Sequence, residues 1–280
     1  MYKIFDLHND YFTSKKFEKS KQSYLSKASK QSVLPTTVVW TSKTDSEKSL
    51  LNIQRAAKLV ANQNQGMLAI EDLHFVSKST IYEIINHQPA YCGLTWNNDN
   101  NLAGGAHGLS DLTHFGRLIV KQLENADIIV DTAHLNERSF MTFSNITTKP
   151  MICSHTACYD LIANPRNLKD YQIKIIVESG GLVGLCLVSE FLSGSKFSTI
   201  LDYVNHIDHC VCKFGIDYFC IGSDFCGTKY LPQGITDYKS LQKLLAYNLE
   251  GIGYKPQDIN KLLFENANQF FQKYSNNYAK

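Results

Sequence analysis

Short runs of apolar and β-branched residues alternate along this chain with longer stretches of helical periodicity. Such an alternation is typical of βα units arranged around a parallel sheet. The predicted strands are Lys3–Leu7, Thr37–Thr41, Gly66–Ile70, Tyr91–Thr95, Ala126–Val130, Pro150–Cys153, Gly181–Leu187 and Asp217–Gly222. Eight strands separated by helices predict an α/β fold of the TIM-like (β/α)8 barrel type, in which reactive groups lie at the carboxyl ends of the strands.

The intervening stretches have the periodicity expected of helices. Ser46–Gln63 carries apolar residues at a spacing near 3.6, and Ser198–Phe214 is a second helical candidate. After the last strand, Thr236–Leu249 and Pro256–Tyr274 predict two closing helices, the second of which begins with a proline, a residue favoured in the first turn.

Length and composition favour one domain. A chain of 280 residues, 44% of them hydrophobic, can bury one large core, so we expect a single barrel domain over residues 1–280 that ends in the helices of residues 236–280. Lysines in a Ser-rich context mark residues 13–31 as a solvated insertion after the first strand, with an anion-binding lid as the alternative.

The net charge and hydropathy of the chain argue against nucleic-acid binding and membrane insertion. A formal net charge of +2 offers no excess of positive charge for a nucleic acid, and no run approaches the roughly 20 apolar residues that a membrane-spanning helix requires. The N-terminal residues lack the pattern of a secretory signal, and the eight cysteines are scattered through apolar segments, so we expect a cytoplasmic protein with reduced thiols. A homodimer is left open.

Metal-ligand side chains follow several of the predicted strands. His8 and Asp10 come after the first strand. Their i, i+2 spacing places both side chains on the same face of an extended chain, so both can coordinate one ion. The other strand ends carry Glu71, Asp131, His134, His155 and Asp224. A lone histidine after a strand is more often a packed or surface residue, but carboxylates and imidazoles at five strand ends together predict a metal site, because these are ligands that Zn²⁺ accepts.

The remaining histidines are interpreted as structural or solvated. His206 and His209 lie three apart on a predicted helix without the glutamate of a zinc-protease motif, so packing or surface positions are favoured. His107 lies in a glycine-rich loop and could lean over the site, although a solvated loop residue is the favoured interpretation.

Several motifs together resemble a known family. They are His8-Asn9-Asp10, Ile70-Glu71, Asp131-Thr132-Ala133-His134, Ser154-His155, Asn164-Pro165-Arg166-Asn167 and Gly222-Ser223-Asp224-Phe225. In order and spacing they resemble the membrane (renal) dipeptidase family of zinc peptidases in the amidohydrolase superfamily, and particularly its cytoplasmic bacterial-type relatives. The similarity runs from about Asp6 to the helix that contains Glu265.

The resemblance implies a binuclear zinc site. By residue-to-residue match, Glu71 would bridge two Zn²⁺ ions, His8 and Asp10 would hold one of them, and His134 and His155 the other. Two such ions can share a hydroxide, which is available as a nucleophile at neutral pH and attacks the peptide bond.

The same match implies roles for two more residues. Arg166 resembles the family's anchor for the substrate carboxylate, and Asp224 its catalytic acid and base. From the residues alone, Arg166 could instead cap a helix or form a surface ion pair, and Asp224 could be a helix N-cap.

The end of the fourth strand departs from the family pattern. Where many members have Leu-Thr-His, whose histidine helps to polarise the scissile carbonyl, this chain has Leu94-Thr95-Trp96-Asn97. The indole N–H of Trp96 or the amide of Asn97 could stabilise the oxyanion in its place, so both are candidate substrate-binding residues, although Trp96 could equally be a packing residue. Cys226 and Asp72 are further departures.

The leading hypothesis is therefore a zinc-dependent dipeptidase with a dipeptide or similar small substrate. One alternative is a zinc amidohydrolase that acts on another small amide or a lactone. Another is a catalytically weak zinc-binding scaffold protein.

Overall fold

The computed structural model describes residues 2–14, 28, 30, 32–42, 44–63 and 66–274, so most of the Lys-rich insertion predicted over residues 13–31 lies outside the described residues. Eight parallel strands form a closed barrel in sequence order, with β8 paired to β1. The strands are β1 (Ile4–Asp6), β2 (Val33–Trp40), β3 (Met67–Glu71), β4 (Tyr91–Gly93), β5 (Ile129–Asp131), β6 (Ile152–Thr156), β7 (Leu182–Leu185) and β8 (Phe219–Ile221). The predicted (β/α)8 barrel is confirmed.

Helices surround the barrel. In the described part of the chain they are α1 (Ser46–Gln63), α2 (Thr80–Asn86), α3 (His114–Asn125), α4 (Glu137–Ser144), α5 (Asp170–Glu178), α6 (Ser189–Ser193), α7 (Ile200–Phe214), α8 (Tyr238–Gly251), α9 (Pro256–Asn260) and α10 (Asn266–Tyr274). The two predicted closing helices are present, but the second is interrupted by a π-helical segment, Lys261–Glu265, between α9 and α10. Of these helices, none is both long and apolar enough to cross a membrane.

Several predicted strand boundaries differ from the structure by a few residues, and two of them are wrong for clear local reasons. The fifth strand does not begin at Ala126, because this residue caps α3 and Asp127 has a φ of 57° in the left-handed region. The second strand begins earlier than Thr37 despite Pro35. The proline is tolerated because pairing with β3 begins only at Thr36, so the backbone N–H that Pro35 lacks is not needed on that side.

The barrel interior is closed at the amino end of the strands. The first residues of several strands, including Met67, Tyr91 and Ile129, form one buried apolar cluster with α10. Within it, the rings of Phe5 and Phe271 stack at 5.7 Å. Because apolar side chains from α10 fill this end, a ligand can enter the barrel only from the carboxyl end, where the predicted metal ligands follow the strands.

Candidate metal centre

The predicted ligand side chains converge at the carboxyl end of the barrel, although they come from five different strands. They surround a cleft of about 620 Å³ whose wall includes Asp10, Glu71, His134, His155, Arg166 and Asp224, and all of these except the half-buried Asp224 are buried. His8 lies behind them and is only 1% exposed. The parallel strands end at one rim, which brings residues that are more than 200 positions apart into one site.

Glu71 stands at the centre of the imidazoles. Its Oε1 lies 2.7 Å from Nε2 of His134 and 3.8 Å from Nε2 of His155. Its other oxygen, Oε2, lies 3.7 Å from Nε2 of His8. One carboxylate therefore presents one oxygen to each of two groups of imidazoles.

Asp10 and Asp224 form the second acidic part of the site. Asp10 Oδ2 lies 3.6 Å from Nε2 of His8, and ligand atoms of His8, Asp10 and Asp224 lie within 4.8 Å of one another. Gly227 packs directly against both carboxylates, and a Cβ at this position would overlap with them. The absence of a side chain at Gly227 therefore gives the two acidic groups their room.

Burial and mutual repulsion shift the carboxyl groups. Burial, and then the charge of Asp10, raise the pKa of Glu71 well above its usual range, and the same two causes raise the pKa of Asp224. Burial by itself would lower the pKa of His8, but the close contact of its Nε2 with Asp10 and the charges of Glu71, Asp10 and Asp224 outweigh burial and raise that pKa to about 10. The acidic cluster thus attracts positive charge.

The two other imidazoles are shifted in the opposite direction. Burial, together with the positive charges of Arg166 and His8, lowers the pKa of His134 and of His155 well below the usual range. Their Nε2 atoms lie 2.9 Å apart. Both rings are therefore neutral at physiological pH, the state in which an imidazole nitrogen binds a metal ion.

The donor set fits divalent zinc. His8, Glu71 and His155 offer three ligand atoms within 4.8 Å of one another, and within the described residues the buried Nε2 of His8 has no hydrogen-bond partner. A buried polar nitrogen without a partner is costly unless it binds a ligand. Imidazole nitrogens with carboxylate oxygens match the preference of Zn²⁺.

Arg166 is positioned beside this cluster. It is only 6% exposed, so it is neither a surface ion pair nor a solvated helix cap. Its Nη2 donates to the carbonyl of His155 at 3.2 Å, and its Cζ lies 5.6 Å from the centre of the Phe191 ring. Its buried Nε has no hydrogen-bond partner in the part of the chain that the structure describes, and so can donate to a ligand anion.

Trp96 and Asn97 both border the cleft, as predicted for substrate-binding residues. Trp96 also packs edge-on against Trp40, with ring centres 5.3 Å apart. The amide oxygen of Asn97 lies 2.9 Å from Nδ1 of His134, which gives Asn97 a partner that the sequence did not indicate. The exposed His107, interpreted as a solvated loop residue, also borders the cleft.

Buried aspartates behind the ligands hold the strand ends. Asp6 accepts hydrogen bonds from Ser223 N at 2.8 Å and from the Tyr238 hydroxyl. Asp131, considered above among the strand-end carboxylates, accepts from Ala133 N at 3.0 Å and Ser154 N at 2.8 Å. Asp131 therefore supports the neighbouring strand from behind the ligand cluster. Its position at the last residue of a strand, like that of Asp6, was the only sequence signal for this role.

Two site residues have unusual backbone conformations. His134 has a φ of 67° and Asp224 a φ of 57°, both in the left-handed region that non-glycine residues seldom adopt. Such strain persists where surrounding contacts hold it, and it concentrates at functional sites.

A parallel eight-stranded barrel with clustered imidazoles and carboxylates at its carboxyl end has the architecture of an amidohydrolase-type hydrolase. The sequence profile of the membrane dipeptidase family, peptidase family M19, matches residues 21–280. The chain belongs to this family, which confirms the predicted resemblance and the dipeptidase class of enzyme. His8 and Asp10 precede the matched residues, but the fold brings them to the same site.

Individual relatives agree with the family. A protein encoded in the pqqA 5′ region of Klebsiella pneumoniae is 32% identical over 189 residues, which cover 62% of this chain and 68% of that protein. An uncharacterized dipeptidase of Schizosaccharomyces pombe is 28% identical over 229 residues, which cover 77% of this chain but only 55% of the yeast protein.

The fold has a solved counterpart. A metallopeptidase from Rhodobacter sphaeroides, liganded with a phosphinate mimic of the dipeptide L-Ala-D-Ala, superimposes with a TM-score of 0.84 at 20% identity. The superposition covers 98% of this chain and 99% of that one.

Proposed function

We propose that this protein hydrolyses dipeptides with two zinc ions, one held by His8 and Asp10, the other by His134 and His155, and both by Glu71. The observation that carries the proposal is the position of Glu71, whose Oε1 faces His134 and His155 while its Oε2 faces His8. A carboxylate in that position can serve two cations at once.

Zinc ions held by these residues would lower the pKa of water and so supply a nucleophile at neutral pH. The dry, acidic surroundings of Glu71 favour cations of high charge.

Asp224 is the proposed proton carrier of the reaction. Its carboxylate borders the cleft and lies beside Asp10, and burial raises its pKa well above the usual range. A carboxylate with a raised pKa is a stronger base than a solvated one, so it takes the proton of the attacking water and returns it to the leaving amine.

Arg166 is the proposed anchor of the substrate's terminal carboxylate. Its guanidinium is buried, charged and held on one side by the carbonyl of His155, with Nε–H left for a ligand. Because Arg166 is close enough to His134 to lower its pKa, an anchored carboxylate lies near the metal ligands. This proximity favours dipeptides over longer peptides. A dipeptide mimic bound by the Rhodobacter sphaeroides structure supports the same substrate class.

The test combines metal analysis with a dipeptide panel. Purified protein should contain about two zinc ions per chain and should release amino acids from L-Ala-L-Ala or L-Ala-D-Ala, while chelation should abolish activity and zinc should restore it. Glu71→Gln should remove metal and lower kcat/KM by more than about 100-fold. The effect should exceed that of losing a residue that only orients a metal ligand, because Glu71 is itself a proposed ligand. Glu83→Gln, an exposed exchange on α2, is the matched control.

The alternatives have separate outcomes in the same assay. Trp96 in place of the family's imidazole is the reason to include cyclic amides and lactones in the panel. If the protein hydrolyses these compounds in an Asp224-dependent reaction and does not cleave dipeptides, the dipeptidase proposal is wrong and the amidohydrolase alternative is favoured. Bound zinc without any hydrolysis would favour the scaffold protein.

A further inference from the structure

The buried hydroxyl of Ser154 lies between His8 and His155, whose imidazoles are proposed to bind different metal ions. Ser154 Oγ lies 2.8 Å from Nδ1 of His155 and 3.3 Å from Nδ1 of His8, a residue 146 positions away in the sequence. Ser154 is fully buried. The contacts involve Nδ1 in both rings, whereas the Nε2 atoms of both rings face Glu71.

An irregularity in β6 makes this arrangement possible. Consecutive residues of a strand normally point to opposite faces, so Ser154 and His155 would be separated by the sheet. Between Cys153 and Thr156 the register with β7 shifts, with three steps on β6 against two on β7. Such a bulge re-aims side chains, and here it places the hydroxyl and the imidazole of adjacent residues in one site.

The hydrogen of the Ser154 hydroxyl has other acceptors. Interaction with the Ser154 side chain counteracts the burial-driven rise in the pKa of the Asp131 carboxyl and of the Tyr91 phenol, so both oxygen groups lie near this hydroxyl. A serine oxygen has two lone pairs and one hydrogen. When that hydrogen is directed to Asp131 or Tyr91, both lone pairs are free to accept N–H groups from the two rings.

We infer that Ser154 is a positioning residue that accepts hydrogen bonds from Nδ1–H of His8 and His155 at once. It thereby holds both rings in the tautomer whose Nε2 lone pair faces Glu71. This inference rests on the proposed function, because the two rings belong to different metal ions in that proposal. Loss of the hydroxyl therefore loosens both ions together.

His134 provides an internal contrast. Its Nδ1 contacts the amide oxygen of Asn97 at 2.9 Å, while its Nε2 faces Glu71. An amide oxygen can only accept, so the same tautomer results from a different partner. Removal of the Asn97 amide should therefore loosen only the ion bound by His134.

The first experiment measures zinc affinity by competition with a chelator. Ser154→Ala should weaken both zinc ions by roughly 10- to 100-fold, the usual effect of losing a partner that orients a metal-bound histidine. Asn97→Ala should weaken one ion only. Ser49→Ala is the matched control, because Ser49 is also fully buried, and its hydroxyl contacts the hydroxyl of Thr44 rather than an imidazole.

The second experiment observes the rings directly. In zinc-loaded protein labelled with ¹⁵N-histidine, the Nδ1–H protons of His8 and His155 should both show nuclear Overhauser effects to the β-protons of Ser154. This measurement uses the wild-type protein, so it holds even where Ser154→Ala folds poorly. Ser154→Ala should accelerate solvent exchange of these two protons and leave that of His134 unchanged.

The outcomes separate the two proposals. Wild-type protein that binds no zinc would overturn the proposed function and this inference with it. Wild-type protein that binds two zinc ions, with Ser154→Ala unchanged in affinity or without the paired Overhauser effects, would overturn the inference alone.

Discussion

The ring of Phe191 lies beneath the guanidinium of Arg166, with 5.6 Å between Cζ and the ring centre. Both residues border the cleft, and the stacking restricts the position of the group proposed to bind the substrate carboxylate. Arg166 thus contacts both the ring of Phe191 and the carbonyl of His155.

Phe191→Leu should weaken substrate binding without a matching effect on the chemical step. Loss of a cation–π contact of about 0.5–2 kcal/mol predicts a KM that rises roughly 2- to 30-fold, with kcat nearly unchanged. Steady-state kinetics on a dipeptide measures both constants. Phe197→Leu is the control, since Phe197 is 87% exposed and should leave KM as it is. A fall in kcat alone would contradict this role of Phe191.

Arg166→Lys should show that the guanidinium recognises a carboxylate through its fork of donors. Lysine keeps the charge but loses the paired geometry, and a charged hydrogen bond of about 1.5–3 kcal/mol predicts a KM roughly 10- to 100-fold higher. The measurement compares a dipeptide with its C-terminal amide. Wild type should strongly prefer the free acid, and the variant should lose much of that preference. Equal cleavage of both by the wild type would exclude the anchor role.

Gly227→Ala should disturb the acidic part of the site sterically. A Cβ at residue 227 would overlap with the carboxylates of Asp10 and Asp224, and overpacking of about 1–3 kcal/mol predicts kcat/KM at least roughly tenfold lower, with reduced zinc content. Metal analysis and kinetics check both effects. Gly251→Ala is the control, because a Cβ there meets no atom of the described residues within 4 Å apart from its own chain neighbours and helix backbone. Unchanged zinc content and activity in Gly227→Ala would show that this contact is unimportant.

Asp6→Asn should lower stability, because Asp6 holds β8 and α8 to β1. The Asp6 carboxylate only accepts, from Ser223 N, Ser223 Oγ at 2.6 Å and the Tyr238 hydroxyl, whereas an amide places a donor against one of them. A buried polar mismatch of about 1–3 kcal/mol predicts a Tm lower by roughly 2–10 °C in a chain of this size.

Thermal unfolding of the metal-free protein gives this Tm without a contribution from zinc. Asp217→Asn is the control for the loss of a carboxylate, since Asp217 forms an exposed ion pair with Lys261 that should contribute little. A Tm for Asp6→Asn equal to that of the control would contradict the bracing role of Asp6.

Local sequence patterns predicted the fold well, but they failed where backbone conformation depended on a single residue. Helix α1 has the predicted bounds, Ser46–Gln63, because its apolar spacing extends over its whole length. The predicted start of β5 was wrong because Asp127 adopts a left-handed conformation, which separates the end of helix α3 from the start of strand β5. The start of β2 was predicted too late because a proline usually interrupts a strand. Pro35 is accommodated within β2 because pairing with β3 begins only after it.

By itself, the sequence determined the barrel and the residue types at its open end. Alternating strands and helices dictate the topology, and the carboxyl ends of parallel strands must meet at one rim, so His8, Glu71 and His155 were predicted to converge. Tertiary structure alone decided how these side chains face one another. The contacts of Ser154 with two imidazoles depend on the bulge in β6 and on the register between strands that are distant in sequence. Neither leaves a periodic signal along the chain, because each arises from packing between segments rather than within one.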